Sequence, residues 1–108
     1  MFKIYWKSLA EITFSQEMIF ILSKWNQKEV DKFAFLVDEN LSRIVQNPFI
    51  GQPIKSIYKV VISMQTTLYY KVIESDKTIE LLVFWNNQKN PSDLTALKSI
   101  YATVRNHP

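Results

Sequence analysis

Residues 56–85 read SIYKVVISMQTTLYYKVIESDKTIELLVFW, and their periodicity decides the fold. From Ser56 onward Tyr58, Val60, Ile62 and Met64 alternate with Ile57, Lys59, Val61 and Ser63, the period of two that belongs to a strand. A turn near Met64-Gln65-Thr66 leads into Leu68-Tyr69-Tyr70-Lys71-Val72-Ile73, and Ser75-Asp76-Lys77 turns the chain again into Thr78 to Trp85. Three strands near 56–63, 68–74 and 78–85, joined by short hairpins, are therefore expected. The last becomes apolar on both faces after Glu80, as a central strand covered on both sides would.

Upstream, Phe2-Lys3-Ile4-Tyr5-Trp6-Lys7 also alternates and predicts a half-buried strand over 2–7. Ser8-Leu9-Ala10-Glu11 has the spacing of a capping box, so a helix is expected over 9–25, its apolar positions being Leu9, Ile12, Met18, Ile19, Leu22 and Trp25. Asn26-Gln27-Lys28-Glu29 repeats the pattern with Asn as cap and opens a second helix, 28–46. Val30, Phe33, Ala34, Val37, Leu41, Ile44 and Val45 make one stripe there, with Asp31, Lys32, Asp38, Glu39, Ser42 and Arg43 opposite. Pro48 ends that helix. The connection 47–53 holds Gly51, the protein's single glycine, expected to adopt a backbone conformation closed to other residues. Asn86 to Pro91 is a polar loop, and Ser92 or Asp93 caps a final helix over 92–105 bearing Leu94, Leu97, Ile100, Tyr101 and Val104. The order β-α-α-β-β-β-α predicts an α+β domain: a helical hairpin packed on a largely antiparallel four-stranded sheet. Trp6, Trp25 and Trp85 are expected mainly in core or helix-sheet packing.

At 108 residues and 12.8 kDa the chain is long enough for one core, and 1–108 is expected to be a single domain. With 47% hydrophobic and 21% charged residues it has a globular composition. The absence of cysteine excludes disulfides, thiolate metal sites and a Cys nucleophile, and the lone His107 excludes His-rich metal sites and an internal Ser-His-Asp triad. No Gly-rich phosphate loop or nucleophile elbow is present either, so neither a metal nor another cofactor is expected. No apolar run is longer than that of Met18 to Leu22, far shorter than the roughly 20 residues of a bilayer span, and a cytoplasmic chain with no membrane association is expected. Net charge is +3, and residues 48–108 carry all of the excess, seven basic side chains against four acidic ones. An anionic ligand is therefore sought in that half.

Lys55, Lys59, Lys71 and Lys89 lie on or beside the strands, interleaved with Tyr58, Tyr69 and Tyr70. Such a row could grip a phosphodiester backbone while a tyrosine stacks on a base; lysines also keep a sheet face wet and an edge strand unpaired. Tyr69 and Tyr70 point to opposite faces, so at most one serves the ligand face and the other belongs to the core. Phe49 and Ile50 either fold back over the sheet or form an apolar landing patch.

The element order, together with Trp6-Lys7-Ser8, the run Ile44 to Gly51, the pair Tyr58 to Ile62 with Tyr69 to Val72, and Leu82 to Pro91, resembles the RelE/ParE superfamily of bacterial type II toxin-antitoxin toxins. The resemblance covers roughly residues 2–97, and Leu82 to Pro91 is similar to the strand end of a plasmid-stabilisation subgroup. It implies a growth-inhibiting toxin neutralised by a cognate antitoxin and acting either on ribosome-bound messenger RNA, as an endoribonuclease, or on DNA gyrase. It further implies Lys59, Lys71 and Lys89 as candidate catalytic residues and Lys55, Tyr69 and Gln88 as candidate nucleic-acid contacts. Family members often carry arginine at the positions of Lys59 and Lys71 and usually at that of Gln88, and lysine offers phosphate a point charge without the bidentate fork of arginine. The alternative is a non-toxic protein-binding or regulatory module of the same fold.

Overall fold

The computed structural model describes residues 1–88. Strand β1 (Lys3–Trp6) leads into helices α1 (Ser8–Lys24) and α2 (Gln27–Gln46), followed by β2 (Gln52–Ile54), β3 (Ile57–Val61), β4 (Thr66–Ile73) and β5 (Thr78–Asn86). The five strands form one sheet in the order β1-β5-β4-β3-β2, with β1 parallel to β5 and every other pair antiparallel. The α+β architecture is the expected one. Two of the four expected cation positions, Lys59 and Lys71, lie within it on regular strands, whereas Lys89 and the expected helix 92–105 fall outside the described residues.

Five strands replace the four expected. The additional strand, β2, lies in the stretch that Pro53 marks as a connection, since proline cannot donate to a ladder. It is tolerated because β2 is at the sheet edge, with Pro53 opposite Tyr58 and only β3 as neighbour.

The hydrophobic stripe predicts α2 correctly: Val30, Phe33, Val37 and Ile44 are buried, and the opposite charged positions are exposed. Its cap holds as well, the Asn26 side chain accepting from the Glu29 amide at 3.0 Å. For α1 the expectation fails twice. Ser8 is already helical, Lys7 is the cap, and no side chain caps the helix. The Lys7 amide donates to Leu81 O at 3.1 Å, so pairing of β1 with β5 fixes the chain one residue before the helix and sets its start. The expected stripe is also rotated: Leu9, Ile12, Ile19, Leu22 and Trp25 are exposed, and Ala10, Thr13, Glu17 and Ile21 are buried. Polar partners choose that face, because the Thr13 hydroxyl accepts from the Phe84 amide and the Glu17 carboxylate accepts from two side chains at the ends of β4 and β5.

Both helices cover the sheet face formed by Ile4, Trp6, Ile62, Leu68, Tyr70, Ile79, Leu81 and Phe84. The centre of the layer is aromatic. Trp6 meets Phe14 edge-on at 5.3 Å and stacks on Phe84 at 5.5 Å, and Phe14 continues to Phe33 at 5.8 Å. Such contacts add about 0.5–1.5 kcal/mol each beyond the area they bury. Trp25 departs from the expected core role: it is 48% exposed, with its ring against Phe20 and Lys24.

Candidate nucleic-acid interface

The register places the candidate residues. Lys59 of β3 lies opposite Tyr69 of β4, so both project from the face away from the helices, and Lys71 follows on that face two residues along β4. Cross-strand diagonals of this kind measure roughly 7–8 Å. Tyr58 and Tyr70, paired one step along the same ladder, point to the helical side, where Tyr70 is fully buried. The two tyrosines lie on opposite faces, as alternation requires, and the structure puts Tyr69 on the outer face and Tyr70 in the core.

On β5, register slips between Tyr69 and Tyr70: Val83 opposes Tyr69 and Leu81 opposes Tyr70, leaving Leu82 as the extra residue of a bulge. Leu82 packs with Ile57, Ile54 and Tyr69 on the outer side, so β5 is buried on both faces near its middle. Beyond the bulge Trp85 lies opposite Thr67 on the outer face, half-buried. Before it, Glu80 lies opposite both Lys71 and Tyr5. A carboxylate thus stands beside the lysine row.

Lys55 occupies the two-residue turn between β2 and β3 with φ 55°, a left-handed conformation suited to tight hairpins. Gln88 is exposed just past β5, at the opposite end of the sheet from Lys71. Asn86 pairs with Thr66, and Lys71 lies five positions further along β4, roughly 17 Å at about 3.3 Å per residue. Lys59 and Tyr69 sit between them. The structure therefore brings together Lys59, Tyr69 and Lys71 and sets Gln88 apart, at the end of the sheet away from Lys71.

The end of the sheet that carries Gln88 is held by buried polar groups for which the sequence gives no motif. Glu17, 5% exposed, accepts from the Thr66 hydroxyl at 2.6 Å and from the Asn86 side-chain amide at 3.1 Å. The Asn86 side-chain oxygen then accepts from the Gln88 amide at 2.8 Å. Asn87 is tied to the β3-β4 turn through its amide to Gln65 O at 2.6 Å, and to β4 by the Thr67 hydroxyl, which donates to its side-chain oxygen at 2.9 Å.

At the edge, the Tyr70 hydroxyl donates to Pro48 O at 2.8 Å and accepts from the Gly51 amide at 3.0 Å. Burial raises the Tyr70 pKa above the ordinary tyrosine value, the Gly51 hydrogen bond opposes this, and Tyr58 adds to it, so the phenol is neutral near pH 7. Gly51 does not have a positive φ, contrary to expectation. Space is the constraint: a Cβ there would come within 2.6 Å of the Tyr70 hydroxyl and 2.9 Å of Lys59 O. Phe49 folds back edge-on against Tyr58 at 5.8 Å, although it and Ile50 stay about half exposed.

Chemically, the row offers two primary ammonium groups and an aromatic ring to an anion. Among the described residues, no three His, Cys, Asp or Glu side chains are placed to hold a metal ion, and no helix is long and apolar enough to cross a membrane.

No family model and no curated protein matches the chain. Among solved structures, it is similar to the crystal structure of the isolated E. coli RelE toxin in its P21 form, with a TM-score of 0.56 over 93% of this chain and 99% of that chain. The fold is RelE-like. Sequence identity over the match is 14%, so the likeness concerns architecture, and in this RelE-like fold the outer sheet face carries the lysine row.

Proposed function

We propose that the chain is the growth-inhibiting toxin of a type II toxin-antitoxin module, a single cytoplasmic domain over 1–108 that binds RNA across the outer face of its sheet and cleaves messenger RNA on the ribosome. The observation that carries this is the convergence of Lys59, Tyr69 and Lys71 on one face of a RelE-like fold. Two ammonium groups a cross-strand diagonal apart suit successive phosphates, and Tyr69 between them offers a ring for a base. In cleavage by the 2′-hydroxyl of the ribose, Lys59 and Lys71 would stabilise charge building on the phosphate. Lys55, Gln88 and Lys89 extend the contact to either side. The similarity of Leu82 to Pro91 to a plasmid-stabilisation subgroup supports a role in plasmid maintenance.

A second target, DNA gyrase, is favoured by one observation: Glu80 faces Lys71 and weakens the field that a cleaving site needs. Under either target the partner is an antitoxin. Its apolar anchors would meet the exposed side chains of α1 and the cleft of about 440 Å³ between the hairpin and the β3-β4 turn, lined by Ile21, Trp25, Phe33, Leu36 and Met64. Its acidic groups would meet Lys55, Lys59 and Lys71, burying well over 1,000 Å² in total.

Induction of the chain without partner, with transcript ends mapped across the genome, separates the targets. New ends within codons, lost in Lys59→Ala/Lys71→Ala together with growth arrest, are expected. Arrest that persists in the double variant with DNA damage and no new ends would establish gyrase instead, and a chain that leaves growth untouched when expressed alone would leave the non-toxic binding module.

A further inference from the structure

Glu17 is the most deeply buried carboxylate among the described residues, at 5% exposure, and no cation is paired with it there. A buried charge without a counter-ion is expensive unless hydrogen bonds replace water. Here the replacement comes from the Thr66 hydroxyl and the Asn86 side-chain amide, one to each carboxylate oxygen. If α1 needed only to cover the sheet, an apolar residue at position 17 would serve better. The bonds instead run onward. Asn86 must turn its Nδ2 toward Glu17, which turns its Oδ1 toward the Gln88 amide at 2.8 Å. A carboxylate can only accept, so it fixes the Asn86 amide in a single orientation, and that orientation fixes the backbone at Gln88.

We propose that Glu17 is a positioning residue: acting through Asn86, it orders the segment 86–88 so that Gln88 meets the nucleic acid lying across Lys59 and Tyr69. This rests on the reading of the outer face as an RNA-binding surface and adds to it a helix residue on the opposite side of the sheet. The chain of bonds also ties α1, β4 and β5 together at one point, so the segment is held in part by a helix that lies on the other side of the sheet from the ligand face.

Amide hydrogen exchange and RNA affinity, measured on the same variants, test it. In Asn86→Asp two carboxylates repel each other, so the bond to Glu17 is lost and the side chain at position 86 swings away from the Gln88 amide; in Glu17→Met the acceptor that orients Asn86 is lost at similar side-chain length. Each should speed exchange at Gln88 by about tenfold or more, as loss of a hydrogen bond to a charged group does. Glu17→Gln/Asn86→Asp restores a donor-acceptor pair with the charge moved across it, while the carboxylate introduced at position 86 still accepts from the Gln88 amide, and should return exchange close to that of the unsubstituted chain. Val37→Ala, which opens a cavity in the α2 packing, lowers global stability without touching the bonds and should leave Gln88 exchange unchanged. With a single-stranded RNA oligonucleotide as probe, Glu17→Met, Asn86→Asp and Gln88→Ala should weaken binding to the same level, and combining Glu17→Met with Gln88→Ala should add nothing. Unchanged Gln88 exchange in Asn86→Asp, failure of the double variant to restore it, or full additivity with Gln88→Ala overturns the proposal. If the unsubstituted chain binds no RNA, the outer-face reading is lost, while the exchange data still decide whether Glu17 orders the segment.

Discussion

Replacement of Gly51 by alanine should destabilise the protein by about 3 kcal/mol, for a reason that owes nothing to backbone conformation. Gly51 does not have a positive φ, so alanine there meets no torsional penalty and gains roughly 0.4–1 kcal/mol by restricting the unfolded chain. The added methyl, however, would stand 2.6 Å from the Tyr70 hydroxyl, 2.9 Å from Lys59 O and 3.1 Å from Tyr58 Cβ. The hydroxyl can yield only by giving up its bonds to Pro48 O and the Gly51 amide. Two buried hydrogen bonds at about 0.5–1.5 kcal/mol each, with a desolvation cost of about 1–3 kcal/mol for a group left unsatisfied, outweigh the entropic gain. Overpacking against the Lys59 backbone adds roughly 1–3 kcal/mol where the strand cannot move aside. A shift in thermal midpoint on the order of 10–20 °C is expected for a chain of this length. The assay is a double-mutant cycle of Gly51→Ala and Tyr70→Phe by denaturant unfolding. Removing the hydroxyl removes the nearest clash, so the pair should cost about 1–2 kcal/mol less than the sum. Strict additivity, or a Gly51→Ala variant as stable as its parent, would refute the steric account.

Tyr70 also sets an alkaline limit. Its folded-state pKa is raised, so the stability tied to the neutral phenol is intact below the unfolded tyrosine value near 10 and falls as pH rises toward the folded value, by at most about 1.4 kcal/mol per pH unit. Unfolding curves of Tyr70→Phe should therefore flatten above pH 10 relative to the parent, and parallel curves would contradict the burial effect. Glu80→Gln, by removing the carboxylate opposite Lys71, should tighten binding of a single-stranded RNA oligonucleotide by up to about fivefold at low salt; unchanged affinity in a titration would place the RNA elsewhere. Lys77 holds a left-handed φ of 50° in the turn before β5, and Lys77→Gly should raise stability by roughly 0.5–1 kcal/mol, checked by the chemical denaturation midpoint.

The parts of the fold that were legible in the sequence are those in which one side of an element is apolar and the other is not. Helix α2 and strands β3 and β4 meet that condition, and alternation separates Tyr69 from Tyr70, whereas which of the two faces outward depends on where the helices pack. Helix α1 does not meet it. Leu9, Ile12 and Ile19 compete with Phe14, Met18 and Ile21, and the second set wins because Thr13 and Glu17, which share its side, have hydrogen-bond partners waiting on the sheet. That choice depends on residues about 50 and more positions away, which no local pattern carries. The available hint was a helical spacing of Ala10, Phe14, Glu17 and Ile21, with a carboxylate where an apolar residue would be expected. Strand β2 was hidden by Pro53, whose missing donor rules out a central strand but not an edge. Glu80 was visible as a residue, yet its place beside Lys71 depends on pairing register, which the bulge at Leu82 changes further along the same strand.

The parallel pairing of β1 with β5 has a consequence for synthesis. Lys3 must wait for Thr78, and Trp6 for Leu81, before the first strand has any neighbour in the sheet. Contacts between distant parts of a chain form slowly, because closing the intervening loop comes before any reward. While the ribosome is still translating the middle of the message, α1 and α2 have no sheet to cover, and the bond from Glu17 to Asn86 has no second partner. Emergence of β5 completes the first strand's pairing, the aromatic layer of Trp6 with Phe84 and the ordering of Gln88 almost together. A nascent chain of this kind completes its sheet late, so a truncated product ending before β5 would be an unfolded polypeptide rather than a partly folded domain.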